Sequence, residues 1–128
     1  MTQAPPPATL TIGEAATALG VSVDTLRRWE RAGKLTFERE GGRRVIAATE
    51  IAELLRERRP RSGTSARNRF DGIVVAVKRD EVMAQVELAC GPYRVVSLMS
   101  REAADELQLA PGVRANAVIK ATTVVIER

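Results

Sequence analysis

The chain has 128 residues, a formal charge of +4 and a pI near 10.0, a length that holds one ordinary domain or two small ones each short of core. It contains no His and one Cys, which removes His-based triads, Cys/His zinc clusters and internal disulfides, and with them most familiar catalysis. A hydrophobic share of 45% with 3% aromatic residues describes folded cores built from Val, Ile, Leu and Ala rather than rings. No apolar run approaches the roughly 20 residues of a membrane span, and the first residues lack the charged start and apolar stretch of a signal peptide. The expected location is the cytoplasm, with no membrane partner.

In chain order, Pro5-Pro6-Pro7 marks residues 1–8 as an extended, disordered leader, because each ring fixes φ and removes a backbone donor. Thr11-x-x-Glu14 then forms a capping box, and Ile12, Ala15, Ala16 and Leu19 recur at helical spacing up to Gly20. Ser22 caps a second helix with Val23, Leu26 and Trp29 inward and Gly33 as its stop. Two helices across a short Gly-bearing turn are a helix-turn-helix signature. Strands at 36–40 and 43–46 flank Gly41-Gly42, a pair suited to a two-residue hairpin, so a small wing is expected. A third helix follows with Ile51, Leu54 and Leu55 inward.

The helical pattern stops at Arg58-Arg59-Pro60, and a basic stretch bearing Gly, Ser and Pro reads as a linker over 60–64. Residues 1–60 hold 10 basic and 8 acidic side chains, 61–70 hold three basic and none acidic, and 71–128 hold 7 and 8. The positive charge therefore lies N-terminal. Beyond the linker the period drops to two, with Ile73/Val75/Val77 and Ala84/Val86/Leu88 on inward phases. Further strands are expected at 93–99, 114–119 and 123–126, with one helix over 101–107 capped by Ser100. The fold class is α+β: a winged helix-turn-helix over 9–59, mainly α, and a five-stranded OB-like β-barrel with one short helix over 65–128.

On the second helix, at 100° per residue, Arg28 and Arg31 cluster with Asp24 opposite Leu26, and Arg27 lies at the flank. A cationic helix of this size fits a B-DNA major groove, where Arg binds guanine bidentately and remaining charges settle on phosphates. Arg39, Arg43 and Arg44 surround the glycine turn of the wing and suit DNA backbone or minor groove. The alternative is a solvated charged face in which these arginines pair with Glu30 and Asp24. The run from Thr25 to Leu35, with Gly42-Arg43-Arg44, resembles the MerR-like and excisionase-like winged helix-turn-helix families over about residues 9–59. That resemblance implies that Thr25, Arg28 and their neighbours enter the major groove of double-stranded DNA while Arg43 and Arg44 belong to the DNA-contacting wing. The long dimerising helix of full MerR regulators is absent, so association has to come from elsewhere.

Ser65-Ala66-Arg67-Asn68 brings a hydroxyl, a guanidinium and an amide together, and Lys120-Ala121-Thr122 supplies an ammonium and a hydroxyl. A small tetrahedral dianion needs charge neutralisation and directional donors of this kind. A donor-only pocket discriminates against phosphate, which keeps a proton near neutral pH, and in favour of fully ionised molybdate, tungstate or sulfate; pocket size then has to exclude the smaller sulfate. The alternative is that Ser65 and Asn68 only start a strand and Lys120 guards a sheet edge. These two segments, with Gly72-Ile73-Val74-Val75, Glu106-Leu107-Gln108-Leu109 and Pro111-Gly112, resemble the Mop (molbindin) domain of the TOBE group over 64–128. The resemblance implies an OB-like barrel that assembles through its strands and binds molybdate or tungstate between subunits. By position, Ser65, Ala66, Arg67 and Asn68 come from one subunit and Lys120, Ala121 and Thr122 from another, with Ser100 as a further candidate. It also implies a homo-oligomer, dimers grouping into a hexamer. Cys90 reads as a bystander.

The function these expectations describe is a molybdate- or tungstate-responsive DNA-binding transcription regulator with no enzymatic activity. The alternatives are an oxyanion storage protein whose N-terminal module is a tether or a ligand-insensitive DNA reader, and an architectural DNA-binding protein whose β module only oligomerises.

Overall fold

The computed structural model describes residues 8–58 and 63–128. Of the expected leader only Ala8 falls within them, and of the expected linker only Gly63 and Thr64. The chain divides into two compact units, Met1–Arg61 and Ser62–Arg128.

The first unit begins with β1 (Thr9–Thr11), which runs directly into α1 (Ile12–Leu19). Thr11 serves both: it pairs with Val45 and caps the helix, its Oγ1 accepting from Glu14 N at 3.2 Å while its own N–H donates to Glu14 Oε1 at 2.9 Å. These two reciprocal bonds satisfy two of the orphan groups of a helix start. After Gly20, Ser22 Oγ accepts from Thr25 N and opens α2 (Val23–Arg31). The helix closes where Lys34 N–H donates to Trp29 O at 2.9 Å. β2 (Glu38–Glu40) and β3 (Arg43–Ala47) form an antiparallel hairpin, and both turn residues have positive φ, 58° for Gly41 and 80° for Gly42. Glycine takes both angles without strain. β1 joins the free edge of β3, giving a three-stranded sheet in the order β1-β3-β2.

α3 (Ala48–Glu57) completes this unit. The core is Ala15, Ala16, Leu19, Leu26, Leu35, Ile46 and Ile51, with Trp29 and Leu54 partly buried against it. Leu55, expected inward, is 43% exposed. A 3.6-residue repeat gives α3 one narrow buried stripe, and Ile51 and Leu54 already occupy it.

The second unit is a four-stranded antiparallel sheet in the order β6-β5-β4-β7, comprising β4 (Asn68–Arg79), β5 (Met83–Cys90), β6 (Tyr93–Ser100) and β7 (Arg114–Ile119). β4 is shared between two ladders: Asn68 to Ile73 pair with β7, and Ile73 to Arg79 pair with β5. A register shift falls between Val74 and Ala76. It corrects the expected phase of this strand, because an inserted residue flips which side chains face inward. Val74 and Val77 meet the core, while Ile73 and Val75 are exposed.

Gly72 sits where β4 crosses β5 so closely that a Cβ there would lie 2.8 Å from the Ala89 carbonyl oxygen. α4 (Arg101–Glu106) starts at Ser100, whose Oγ accepts from Ala103 N at 3.1 Å. Arg79 pins this region, donating through Nε to Asp105 Oδ1 at 3.0 Å and through Nη2 to Leu109 O at 2.8 Å.

The expected fifth strand at 123–126 is replaced by a 3₁₀ turn, Ala121–Thr123, and an exposed tail. Val125 is 83% and Ile126 84% exposed. β-branched residues favour a strand, but a strand also needs a ladder partner, and among the described residues no strand pairs with them. Among the described residues no helix is long and apolar enough to cross a membrane.

Candidate functional site

In the first unit, α2, the β2–β3 hairpin and the β1–α1 junction border an open cleft of about 670 Å³ lined by Arg27, Glu30 and Arg31 from α2, by Arg39, Arg43 and Arg44 from the hairpin, and by Thr11 and Ile12. Five guanidinium groups around one carboxylate make it a strongly cationic concavity. Arg27 Nη1 donates to Asp24 Oδ1 at 3.3 Å, and Arg44 Nη1 lies 2.9 Å from Glu30 Oε1. The pairing foreseen for a solvated face therefore occurs at two of the arginines. Arg28 does not line this cleft; its Nη2 donates to Thr25 Oγ1 at 3.3 Å. Thr25 Oγ1 is in turn 2.9 Å from Ser22 Oγ, so Thr25 and Arg28 form a separate polar group near the start of α2. The helical wheel placed Arg28 and Arg31 in one cluster. The cleft separates them: Arg27, Glu30 and Arg31, at i, i+3 and i+4, share the face that borders it, while Arg28 stands with Thr25 on the neighbouring face. Trp29 packs partly buried against the core.

In the second unit the two donor-rich segments, far apart in sequence, meet in space. Asn68 pairs with Ile119 at the end of the β4–β7 ladder, and its Nδ2 donates to Ile119 O at 3.1 Å. Ser65-Ala66-Arg67 enters β4 at this point, and Lys120-Ala121-Thr122 leaves β7 at the same end. Within one chain the two segments adjoin. Arg67 Nη1 donates to Thr64 O at 3.1 Å, folding the guanidinium back on its own loop. Thr123 Oγ1 donates to Lys120 O at 2.9 Å and steadies the 3₁₀ turn. Ala121 and Thr122 start that turn, so its internal bonds leave their N–H groups unused.

Ser65, Arg67, Lys120, Ala121 and Thr122 are exposed, with Ala66 and Asn68 half-buried. Ser100 lies at the opposite end of β4, where Met83 pairs with Ser100 and Ala84 with Arg79. It does not join the group within one chain, and its hydroxyl oxygen is engaged in capping α4. Cys90 is free and buried. Among the described residues no three Cys, Asp or Glu side chains gather as a metal site.

The MerR family of regulatory proteins matches residues 11–46, and the TOBE domain family matches residues 64–126. Molybdenum-pterin-binding protein 3 of Clostridium pasteurianum is 43% identical over 63 residues, which are 48% of this chain and 93% of that protein. The molybdenum transport protein ModE of Herbaspirillum seropedicae is 39% identical over 77 residues, 59% of this chain. The chain spans 28% of the ModE protein's length. In shape, a molybdate binding protein from Sporomusa ovata aligns with a TM-score of 0.51 and 24% identity, over 52% of this chain and all of that one. At that identity the likeness is one of fold: the curled antiparallel sheet of the second unit is OB-like.

Proposed function

Because the chain belongs to the Mop group of the TOBE domains, joined on its N-terminal side to a MerR-family segment, we propose that it is a cytoplasmic transcription regulator. In this reading the first unit is a winged helix-turn-helix that reads double-stranded DNA, and the second binds molybdate or tungstate and controls that reading. No catalysis is assigned to either. The observation that carries the proposal is the meeting of Ser65–Asn68 with Lys120–Thr122 at one end of the β4–β7 ladder. Hydroxyls, a guanidinium and an ammonium, with two unused backbone N–H groups, form a donor-rich set with two positive charges. A doubly charged tetrahedral oxyanion matches both counts, and fully ionised molybdate offers these donors more acceptor positions than a phosphate that keeps a proton.

The donors are exposed in one chain, and a site open to water holds a dianion weakly. A second copy closing over this end completes the site, in keeping with a homo-oligomer built through the second unit. The open edges of β6 and β7 and the exposed Val124, Val125 and Ile126 supply the surface for such association, and a hexamer of paired subunits is the assembly proposed. On the DNA side, Thr25 and Arg28 stand apart from the cleft and are assigned to base edges. Arg27, Arg31, Arg39, Arg43 and Arg44 line it and are assigned to the phosphate backbone.

The test has two arms. Calorimetry on the whole chain with molybdate, sulfate and phosphate is expected to show binding of molybdate and none of phosphate. Titration of promoter DNA at fixed salt is expected to give different affinities with and without saturating molybdate. Equal affinities would leave an oxyanion buffer carrying a DNA reader, and the regulator reading would fall.

A further inference from the structure

Glu30 is the one carboxylate lining the cationic cleft between α2 and the hairpin. Its Oε1 lies 2.9 Å from Arg44 Nη1, and the pair spans from α2 to β3 with side chains 26% and 39% exposed. The Arg27–Asp24 pair differs in both respects: it lies within one helix, and its members are 52% and 88% exposed. An exposed pair inside one helical turn does little. A partly sequestered pair between two elements fixes where one stands against the other.

We propose that Glu30 is a positioning residue for DNA, holding Arg44 within the cleft so that the guanidinium offers its remaining N–H groups to a backbone phosphate. The inference rests on the DNA reading proposed above and adds to it a residue whose own charge opposes DNA. The chemistry is specific to arginine. Its planar fork carries five donors, so one edge can serve Glu30 while another serves a phosphate. Without a carboxylate among them, Arg44 and the four other guanidinium groups repel one another, and the side chain on the more exposed hairpin swings into water. Glu30 offsets that repulsion locally and leaves the cleft net positive.

The two readings of Glu30 differ in sign. If its charge merely opposes DNA, neutralising it tightens binding. If it positions Arg44, neutralising it weakens binding.

The experiment uses the whole chain and a fluorescently labelled mixed-sequence duplex of about 30 base pairs, because a phosphate contact carries no sequence information. Anisotropy is followed between about 50 and 200 mM salt. Glu30→Gln is expected to weaken binding about fivefold and to reduce the salt slope by about one unit per bound module, matching Arg44→Ala. The double variant is expected to bind no more weakly than Arg44→Ala alone, since each change removes the same contact. Arg44→Lys keeps the charge and is expected to lose affinity as well, which carries the test if Glu30→Gln proves unstable on melting. Tighter or unchanged binding by Glu30→Gln, additive losses in the double variant, or full affinity in Arg44→Lys would overturn the proposal. A wild-type chain without salt-dependent binding would instead overturn the DNA reading beneath it.

Discussion

The side-chain amide of Asn68 donates to the main-chain carbonyl of Ile119 at 3.1 Å, joining positions 51 residues apart. It fastens the entry of β4 to the exit of β7, so the segments just outside this bond, Ser65-Ala66-Arg67 and Lys120-Ala121-Thr122, are held side by side. The proposed anion site is thus a property of sheet pairing as much as of its donors. Asn68 has a part in it even if its amide never touches a ligand.

Molybdate is expected to raise the melting temperature of the whole chain, and Lys120→Ala or Arg67→Ala to remove most of that gain. Ligand bound only by the folded state adds about 2.7 kcal/mol at a hundredfold excess over Kd. Each variant deletes one of the two positive charges assigned to a dianion. Thermal melting with and without molybdate checks this; variants that gain as much as wild type would remove these residues from the site.

Val125→Asp with Ile126→Asp is expected to dissociate the assembly while leaving each chain folded. Both side chains are more than four-fifths exposed in the single chain, so the fold does not depend on them. Burying two unpaired carboxylates at an interface is costly. Sedimentation velocity reads the outcome, and an unchanged sedimentation coefficient would place the interface elsewhere.

Arg28→Ala and Arg43→Ala are expected to differ in kind. Arg28, outside the cleft, is assigned to base edges, so its loss should cost about 1–3 kcal/mol on the preferred sequence and relax preference. Arg43, in the cleft, should weaken all duplexes alike and lower the salt slope by about one unit. Competition between preferred and mixed-sequence duplexes across a salt series separates the two.

Gly72→Ala is expected to destabilise the second unit by about 1–3 kcal/mol, a typical cost of overpacking. The added methyl group would sit 2.6 Å from Cys90 Sγ and 2.8 Å from the Ala89 carbonyl oxygen. Cys90→Ala relieves the first clash only, so the double variant is expected to stay below Cys90→Ala alone on thermal melting.

Asp80 governs part of the acid limb. Its Oδ1 accepts from Met83 N at 2.7 Å and Val82 N at 2.8 Å, and these bonds hold its carboxyl below the ordinary carboxylate range. Because the folded value is the lower one, its stabilisation is complete above the unfolded value of about 3.9 and is lost as pH falls through the folded value. Asp80→Asn is expected to melt below wild type near neutrality, with the gap closing below about pH 3.9. A gap that stays constant into acid would mean that the charge contributes nothing there.

Where local chemistry sufficed, the sequence was legible. Thr11 and Glu14, Ser22 and Thr25, and Gly41-Gly42 each fold their own segment by short-range bonds, and all three appear where the residue pattern placed them. What eluded it depends on distant partners. β1 is three residues long and exists because Thr9, Leu10 and Thr11 meet Ala47, Ile46 and Val45. Residues 123–126 look like a strand and lack a ladder. The phase of β4 turns on a bulge that no alternation of Ile73, Val74 and Val75 reveals. For the candidate sites, residues 65–68 and 120–122, set together from their chemistry, do come to one end of the β4–β7 ladder, whereas Arg28 and Arg31, set together by the helical wheel, are divided, Arg31 with Arg27 on the cleft and Arg28 with Thr25.

Ile73 pairs with Ala89 on one side and Arg114 on the other, and on either side of it β4 belongs to a different ladder. The buried cluster of this unit gathers around Val74, Val86, Leu88 and Ala104, beside β5 and α4, and takes only Ala115 from β7. The donor-bearing end therefore belongs to the less supported half of the sheet. Segments with few buried apolar contacts are the ones that open locally, below the global transition. A ligand bridging β4 and β7 there, as proposed, is expected to stabilise that end first and to show its grip in local breathing before it shows in the fold as a whole.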